Sequence, residues 1–284
     1  MNWKWMSLKQ SQQPKKRKIL KRVIWICVIV VLIHVIHALT LDRIIQYVAI
    51  DFHSSAVPVE MNGYRIAFIV DTHELEVSDE PLWGVVDELN DRDIDLLLLG
   101  GDFSGRSGAW NTLSILSHIE TVDGVFGVEG NHEVFWDLSA SMEAFGMGLL
   151  LNEGLHIRDN FFVAGVEDLS IGNPDIAVAT EDANPDDFVL LLSHNPDISM
   201  RQDTHHINLI LSGHTHGGQV TFFGIWAPYF TFTNHVTAYG QRFTSGWAKS
   251  RDGTPVLVSN GTGDYMPRVF ARPQVIIITL YNEE

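Results

Sequence analysis

Cysteine is nearly absent from this chain. Its 284 residues contain a single thiol, that of Cys27, which excludes a disulfide within the chain and a zinc site built from cysteines. The missing disulfides do not identify a compartment, because a domain with a large enough core does not need them. With 45% hydrophobic and 19% charged residues, most of the chain is expected to fold around such a core.

Basic residues are scarce outside the N-terminus. Residues 1–22 hold eight of the 19 Lys and Arg side chains and no acidic one. The remaining 262 residues carry 11 basic and 35 acidic side chains, a net charge of −24. A domain this acidic repels nucleic acid, and the sequence shows no basic patch interleaved with aromatic residues. We therefore expect no nucleic-acid partner.

A long uncharged run follows the basic segment. Residues 23–39 read VIWICVIVVLIHVIHAL, and the sequence stays apolar to residue 41. A helix of this length just crosses a bilayer core of about 30 Å. A cleaved signal peptide is the alternative, but the run exceeds the usual apolar region of such peptides and has no Ala-x-Ala pattern. We expect an uncleaved transmembrane anchor at residues 23–41.

The charges around this run predict its orientation. Because positively charged flanks stay in the cytoplasm, residues 1–22 are expected to be a cytoplasmic tail of a single-pass protein in the inner (plasma) membrane. The acidic domain would then lie outside the cytoplasm. His34 and His37 lie within the run, and neutral imidazoles near the outer end of a single span can reach the membrane interface. We favour that reading over a functional role for them.

Residues 42–62 are expected to be a linker, and residues 63–284 a single domain. Short apolar runs alternate there with amphipathic segments, which indicates an α/β domain whose sheets are covered on both faces. Strands are expected at 64–70, 94–99, 124–129, 188–193, 207–212, 255–259 and 275–280. Helices are expected at 80–91, 108–120 and 135–146.

Polar, glycine-containing clusters follow most of these strands. In open α/β sheets the ligand site lies beyond the carboxyl ends of the strands, so the clusters are expected to converge. Imidazole and carboxylate groups without thiolate suit manganese, iron or zinc. Each cluster alone could be incidental, but five in order along the chain indicate a metal site. The candidate residues are Asp71, His73, Asp102, Asn131, His132, His194, His214 and His216.

The ordered clusters DTH, GD, GNHE, a later His and GHTH resemble the signature of the calcineurin-like metallophosphoesterases. The resemblance covers essentially all of residues 63–284 and is strongest to a small membrane-associated bacterial branch similar to YkuE. The segments that carry it are LLSHNPD (191–197), GHTHGGQV (213–220), GTGDYMPR (261–268) and ARPQVIIITL (271–280). Val70 stands where the family often has Ser, but that side chain is not a ligand.

The resemblance implies a four-layer αββα sandwich, preceded here by one transmembrane helix, with two divalent metal ions at the top. Mn²⁺ is the ion expected first, with iron or zinc as alternatives. The first ion would be held by Asp71, His73 and His216, and the second by Asn131, His194 and His214. Asp102 would bridge the two ions, and His132 would be the general acid or would stabilise the phosphate.

The implied activity is hydrolysis of a phosphomonoester, phosphodiester or pyrophosphate bond. Two divalent ions carry four positive charges, which two carboxylates and a bridging hydroxide offset only in part, so an anionic phosphoryl group is attracted. Arg106 and Arg268 are candidates for a further phosphate contact, because arginine recognises phosphate bidentately. The expected partners are the membrane and an anionic phosphate-containing substrate, lipid-linked or from the cell envelope.

Other functions remain open at this stage. A pyrophosphatase acting on UDP-2,3-diacylglucosamine in lipid A synthesis conflicts with a domain outside the cytoplasm. A non-catalytic membrane scaffold would be expected to have lost ligands, and none is missing. A protein phosphatase is disfavoured, since no long insert is available to build a docking groove. The aromatic stretch FFGIWAPYFTF at residues 222–232 fits a lipid or nucleoside pocket, an interfacial patch or ordinary core packing.

Overall fold

The fold places two sheets face to face behind an N-terminal helix. The structure is a computed structural model that describes residues 4–73, 80–104, 108–135, 137–263 and 267–283. The helices of these residues are α1 (Lys4–Leu39), α2 (Glu80–Asn90), α3 (Trp110–Leu116), α4 (Leu138–Ala144), α5 (Ile176–Ala179) and α6 (Pro228–Phe232). Their strands are β1 (Gln46–Ser54), β2 (Tyr64–Ile69), β3 (Leu96–Leu99), β4 (Val125–Gly127), β5 (Gly148–Leu149), β6 (Glu153–Arg158), β7 (Phe161–Gly165), β8 (Phe188–Leu192), β9 (Leu209–Ser212), β10 (Gly246–Lys249), β11 (Pro255–Val258) and β12 (Gln274–Asn282).

The strands form two six-stranded sheets with mixed directions. The first has the order β1-β12-β2-β3-β4-β5, and the second has the order β10-β11-β9-β8-β7-β6. In the first sheet β2, β3, β4 and β5 are parallel, while β12 is antiparallel to β2. In the second sheet β7, β8, β9 and β11 are parallel and lie between antiparallel edge strands.

Three apolar layers hold the sheets and helices together. Large side chains such as Phe68, Phe161 and Phe188 fill the space between the sheets. A second cluster packs α2, α3 and α4 against the outer face of the first sheet. A third covers the outer face of the second sheet and includes residues of α5. Because the central strands are covered on both faces, β3 is four consecutive buried leucines. The αββα sandwich expected from the sequence is confirmed.

The segment expected to be a linker is largely part of the domain. Residues 46–54 of the predicted 42–62 linker form β1, which pairs in parallel with β12 over all nine of its residues. Phe52 is buried in the core between the sheets, where its ring lies 5.9 Å from that of Phe188. The domain therefore begins before the predicted boundary at residue 63 and includes β1. β1 was missed because it lies at a sheet edge, where only Phe52 is buried and the apolar signal is weak.

The N-terminal helix leads directly into this edge strand. α1 is continuous from Lys4 to Leu39, and residues 15–43 are long and apolar enough to cross a membrane. Just after α1, the buried Asp42 carboxylate lies 2.7 Å from His37 Nδ1. The same carboxylate accepts hydrogen bonds from the backbone N–H groups of Phe270 and Ala271 at 3.1 and 3.3 Å. The end of the helix is thus fastened to the loop before β12.

The direction of β1 decides where the helix joins the sandwich. β1 is parallel to β12, and β12 is antiparallel to β2. The first residue of β1 therefore lies on the side of the sheet where β2 has its carboxyl end. The carboxyl end of β2 is one of the strand ends expected to carry the site. The N-terminal helix therefore enters the domain at the same edge of the first sheet as those strand ends.

We predict that the domain depends on β1 for its stability. A fragment of residues 63–284 lacks the β1–β12 pairing and the Phe52 ring, whereas a fragment of residues 42–284 keeps both. Loss of a buried Phe side chain costs about 3–5 kcal/mol, and in a domain of this size 1 kcal/mol shifts the melting temperature by about 2–4 °C. Thermal unfolding followed by circular dichroism should therefore show a melting temperature lower by at least several degrees for residues 63–284. Equal melting temperatures would contradict this role of β1.

Candidate metal centre

Six of the predicted ligands meet at one edge of the sandwich in two overlapping groups. Within each group, one candidate ligand atom per residue lies within 4.8 Å of the others. The first group is Asp71, His73, Asp102 and His216, and the second is Asp102, His194 and His214. Asp102 is common to both. The sequence-predicted strand ends therefore converge in space.

The backbone at these residues is strained in a consistent way. Each cluster directly follows a strand, and five of the six residues have positive φ angles between 49° and 68°. Such angles are uncommon for residues other than glycine, and they concentrate where the surrounding structure enforces a functional geometry. The residues concerned are Asp71, His73, Asp102, His214 and His216.

Two histidines of the first group face each other. Nε2 of His73 lies 3.0 Å from Nε2 of His216. Nε2 of His73 is 3.6 Å from Asp102 Oδ2, and Nε2 of His216 is 3.7 Å from Asp71 Oδ1. Burial lowers the pKa of His73 to about 4 and that of His216 well below its usual value. Both imidazoles are therefore neutral at pH 7, the form that binds a metal ion.

Backbone carbonyls assign the ring nitrogens of the second group. His194 Nδ1 donates to the Gly100 carbonyl at 2.9 Å, and His214 Nε2 donates to the Val236 carbonyl at 3.0 Å. These partners leave Nε2 of His194 and Nδ1 of His214 facing the site, 3.2 Å apart. Fixing the tautomer through the far nitrogen is the usual arrangement of metal-binding histidines.

The two carboxylates have opposite electrostatic environments. Burial raises the pKa of Asp71 to about 7, and the neighbouring charge of Asp102 acts in the same direction. Burial also favours protonated Asp102, but the charge of His194 and a hydrogen bond from it outweigh burial and hold the pKa of Asp102 far below its usual value. His194 shows the reverse balance, since the carboxylates overcome its burial and raise its pKa. In the protein alone a charged His194 thus compensates Asp102, a task that a divalent cation would take over.

The arrangement fits a pair of cations at this position. Among the described residues, the buried atoms Asp71 Oδ1 and Asn131 Oδ1 have no hydrogen-bond partner. Buried polar oxygens are rarely left so, because the lost hydrogen bonds to water cost about 1–3 kcal/mol. Carboxylate, imidazole and amide donors are also a ligand set that divalent transition metals accept. A metal ion at this position would satisfy both of these oxygens.

Glycines let the strand ends approach each other closely. A Cβ atom on Gly130 would lie 2.2 Å from Asp102 Oδ1. A Cβ atom on Gly213 would lie 2.6 Å from Asp71 Oδ2. Both distances are far shorter than van der Waals contact, so any larger residue would displace a carboxylate of the site.

Glu133 is a functional residue that the sequence analysis missed. Its buried carboxylate accepts hydrogen bonds from four backbone N–H groups, at 2.8 to 2.9 Å. These donors belong to Asp102, Phe103, Ser104 and Gly130, so one side chain fastens the loop after β3 to the loop after β4. The available signal was its position in the GNHE cluster, where an acidic residue follows two candidate site residues. Glu133 therefore positions Asp102 from outside the ligand set.

A cleft opens beside the six residues. Its volume is about 800 Å³, and its walls include Asn131 and His132 as well as Asp102, His214 and His216. The backbone N–H of His132 donates to Asp102 Oδ1 at 2.9 Å, and its ring meets that of His73 edge-on with centroids 4.7 Å apart. The imidazole that the resemblance assigns to proton transfer thus stands at the cleft, next to the candidate ligands.

Of the two arginines suggested as phosphate contacts, only Arg268 lies among the described residues. Arg106 lies outside the described residues. Arg268 is completely buried, and its Nη1 donates to the carbonyls of Asn260 and Ala271 at 2.7 and 2.9 Å. It does not line the cleft, but its charge contributes to the lowered pKa of His73. A direct contact of either arginine with substrate stays a prediction.

Comparison with known proteins gives a consistent result. The family model described as calcineurin-like phosphoesterase matches residues 64–218, more than half of the chain. The uncharacterized metallophosphoesterase YkuE of Bacillus subtilis is 29% identical over 80% of this chain and 82% of its own length. An uncharacterized metallophosphoesterase of Helicobacter pylori is 28% identical over 68% of this chain and 52% of its own length. A bovine protein named transmembrane protein with metallophosphoesterase domain is 30% identical over 74% of this chain.

These relatives differ in length. The chain spans about half the length of the Helicobacter and bovine proteins, at 52% and 50%, but most of the length of YkuE. The similarity therefore concerns the sandwich with its strand-end clusters rather than the whole of the longer proteins.

We predict that Glu133→Gln weakens metal binding while the domain stays folded. The amide has one carbonyl oxygen instead of two acceptors, and its NH2 group would face backbone N–H donors, so the two loops should separate. Loss of such an outer contact typically lowers metal affinity about 10–100-fold. Titration of the metal-free protein with Mn²⁺, followed by calorimetry, measures the change. Glu143→Gln, an exposed substitution on α4, is the matched control, and equal affinity in the two variants would refute this role of Glu133.

Proposed function

The chain belongs to the calcineurin-like phosphoesterase family, whose members are metal-dependent hydrolases with a binuclear centre, and from that premise we propose that it is a membrane-anchored phosphohydrolase acting on a phosphate ester at the membrane. The observation that supports this most directly is the pair of overlapping residue groups that share Asp102. A carboxylate common to two ligand sets is what a pair of adjacent cations requires.

The proposed ligand assignment follows these two groups and adds Asn131 to the second. Asp71, His73 and His216 would hold one ion, and Asn131, His194 and His214 would hold the other. Asp102 would contribute to both sets. Mn²⁺ is the proposed ion, with iron or zinc as alternatives, because imidazole and carboxylate donors without thiolate suit all three.

The protein's own residues then have separate tasks. When bound, a pair of divalent ions activates water and stabilises the charge of an in-line displacement at phosphorus. The chain fixes the donors that hold the ions, through the Gly100 and Val236 carbonyls behind the histidines and through Glu133 behind Asp102. The surrounding acidic domain does not attract an anionic substrate, so the force that draws the substrate into the cleft must come from the metal centre itself.

His132 is the proposed general acid. Its ring is at the cleft, beside His73 and outside both candidate ligand groups. Its backbone N–H donates to Asp102 Oδ1, which holds the residue next to the centre. From there His132 would donate a proton to the leaving oxygen of the ester.

The membrane part of the proposal concerns the anchor and its orientation. The apolar helix, the eight basic residues before the run and the name of the bovine relative support a single-pass protein with a cytoplasmic N-terminus. The cleft would then lie outside the cytoplasm. We propose a lipid-linked or cell-envelope phosphate ester as substrate, and a UDP-2,3-diacylglucosamine-type pyrophosphatase would require the opposite orientation. A scaffold without catalysis is the alternative from another class.

We predict that His132→Ala lowers kcat by about 10²- to 10⁴-fold, the usual contribution of a positioned proton donor. Metal content should stay unchanged, since His132 is not among the proposed ligands. The measurement is hydrolysis of aryl phosphomonoesters and phosphodiesters with Mn²⁺, beside metal analysis, with the exposed His205→Ala as control. Full activity of His132→Ala on every substrate would remove its proposed role. Fewer than two ions and no turnover by the unsubstituted protein would favour the scaffold.

We predict that a reporter fused after Glu284 is exposed outside the cytoplasm. A reporter phosphatase that folds only outside the cytoplasm should be active when fused at this position. A fluorescent protein that folds only in the cytoplasm should show no fluorescence when fused at the same position. Replacing Lys15, Lys16, Arg17 and Lys18 with Gln in the same fusion should reduce the reporter signal, because these residues supply much of the orienting charge. A cytoplasmic reporter in the unsubstituted fusion would reverse the proposed orientation and support the UDP-linked substrate.

A further inference from the structure

An aromatic surface lies between the N-terminal helix and the cleft. It consists of exposed apolar residues of the loop that follows β9 and its metal-site histidines, and of α6. Ile225 and Phe232 are 84% and 78% exposed, although removing a large apolar side chain from water is energetically favourable. We call these residues the aromatic rim: Val220, Phe222, Phe223, Ile225, Trp226, Tyr229 and Phe232.

The rim is continuous with the membrane helix. The ring of His34 in α1 contacts Phe222, Phe223 and Phe270, with centroids 5.2, 4.5 and 4.9 Å apart. His37 stacks on Phe270 at 3.8 Å. The last turns of the apolar helix therefore pack directly on the rim and on the loop before β12.

The position of His34 along the helix sets the depth of the rim. His34 precedes the helix end at Leu39 by five residues, which corresponds to roughly 7–8 Å at 1.5 Å per residue. Elements that lie in a membrane interface are buried by about 5–10 Å. If the apolar helix spans the bilayer up to its end at Leu39, Phe222 and Phe223 are thus held at the depth of the interface.

The charge distribution also favours contact with a membrane. Residues 219–241 contain no Asp, Glu, Lys or Arg, although the domain as a whole is strongly acidic. At the point where the helix meets the domain, the exposed Arg43 follows the span and Arg272 donates to the Ile44 carbonyl at 3.2 Å. Aromatic and apolar groups flanked by arginines are the usual composition of a membrane-interface surface.

The rim and the metal centre share the cleft. The rim residues Val220, Tyr229 and Phe232 line it together with Asp102 and His132. Backbone hydrogen bonds in the first sheet also connect the start of β1, where the helix joins the domain, with the metal centre. Gln46, at the start of β1, donates to the Pro273 carbonyl, and Gln274 donates to the Gly261 carbonyl, each at 2.8 Å. Gly261 packs on Asp71, since a Cβ atom there would lie 2.6 Å from Asp71 Cβ.

We propose that the aromatic rim inserts into the bilayer interface beside the anchor, so that the metal centre faces the membrane and takes its phosphate ester from the membrane plane. This rests on the anchored phosphohydrolase proposed above, and it names the substrate class: an amphiphile whose phosphate enters the cleft while its apolar part stays along the rim. The occupant of the rim is the lipid bilayer itself.

The test measures insertion directly in the full-length protein. In a Cys27→Ser background, Ile225→Cys is labelled with a fluorophore that responds to polarity, and the protein is placed in vesicles of phosphatidylethanolamine and phosphatidylglycerol. Brominated lipids should quench the Ile225 label several-fold more than a label at Val122→Cys. Val122 is the matched control, because it is 72% exposed and its backbone bonds to Asp95 at the opposite edge of the sheet. Equal quenching at the two positions would overturn the proposal. Shielding of the Ile225 label by a second copy of the chain, without lipid quenching, would do so as well.

A second measurement separates this inference from the proposed function. Ile225→Asp places a charge on the rim outside the cleft lining. It should lower hydrolysis of a long-chain aryl phosphodiester embedded in the vesicles by about tenfold, the factor that corresponds to a loss of 1.4 kcal/mol. Hydrolysis of soluble bis(p-nitrophenyl) phosphate should stay unchanged, and Val122→Asp should change neither rate. Equal rates of Ile225→Asp and the unsubstituted protein on the embedded ester would refute the proposed role of the rim. If the unsubstituted protein hydrolysed neither ester, the proposed phosphohydrolase function would be refuted. The insertion measurement alone would then decide on the rim.

Discussion

The buried carboxylate of Asp102 is the contact on which the rest of the site depends. Its Oδ2 lies 3.2 Å from His194 Nε2 and 3.6 Å from His73 Nε2, so that it belongs to both residue groups. Its Oδ1 accepts the backbone N–H of His132, and its own backbone N–H donates to Glu133. A buried charge with this many polar contacts cannot move without breaking several of them. The carboxylate thereby ties together the ends of β3, β4 and β8.

The sandwich makes this convergence possible by the direction of its strands. Parallel strands end at one edge, and the two sheets bring two such edges together, so residues far apart in sequence meet without long loops. β1 adds a consequence, because it runs opposite to β2 and starts where β2 ends. The same topology that assembles the site therefore fixes the apolar helix next to it.

Much of this arrangement was predictable because its signals are local in sequence. The apolar runs of β2, β3, β8 and β9 are buried on both faces, and each is followed at once by its polar cluster. β1 was not recognised, because an edge strand with one buried side chain lacks such a run. Glu133 acts through backbone amides of a loop about thirty residues away, and the Val236 carbonyl that orients His214 carries no side-chain signal. Contacts made to the backbone of distant residues are what the sequence alone does not reveal.

The charge distribution links the proposed anchor with the proposed chemistry. A domain with a net charge of −24 outside the basic tail is repelled both by an anionic membrane surface and by an anionic phosphate. The uncharged stretch at residues 219–241 would remove the first repulsion where the proposed anchor brings the domain to the membrane. The proposed pair of cations at Asp102, together with the buried charge of Arg268, would counter the second repulsion at the cleft. Because the rim and the centre line the same cleft, the least repulsive part of the surface is also the part through which a phosphate ester from the membrane would arrive.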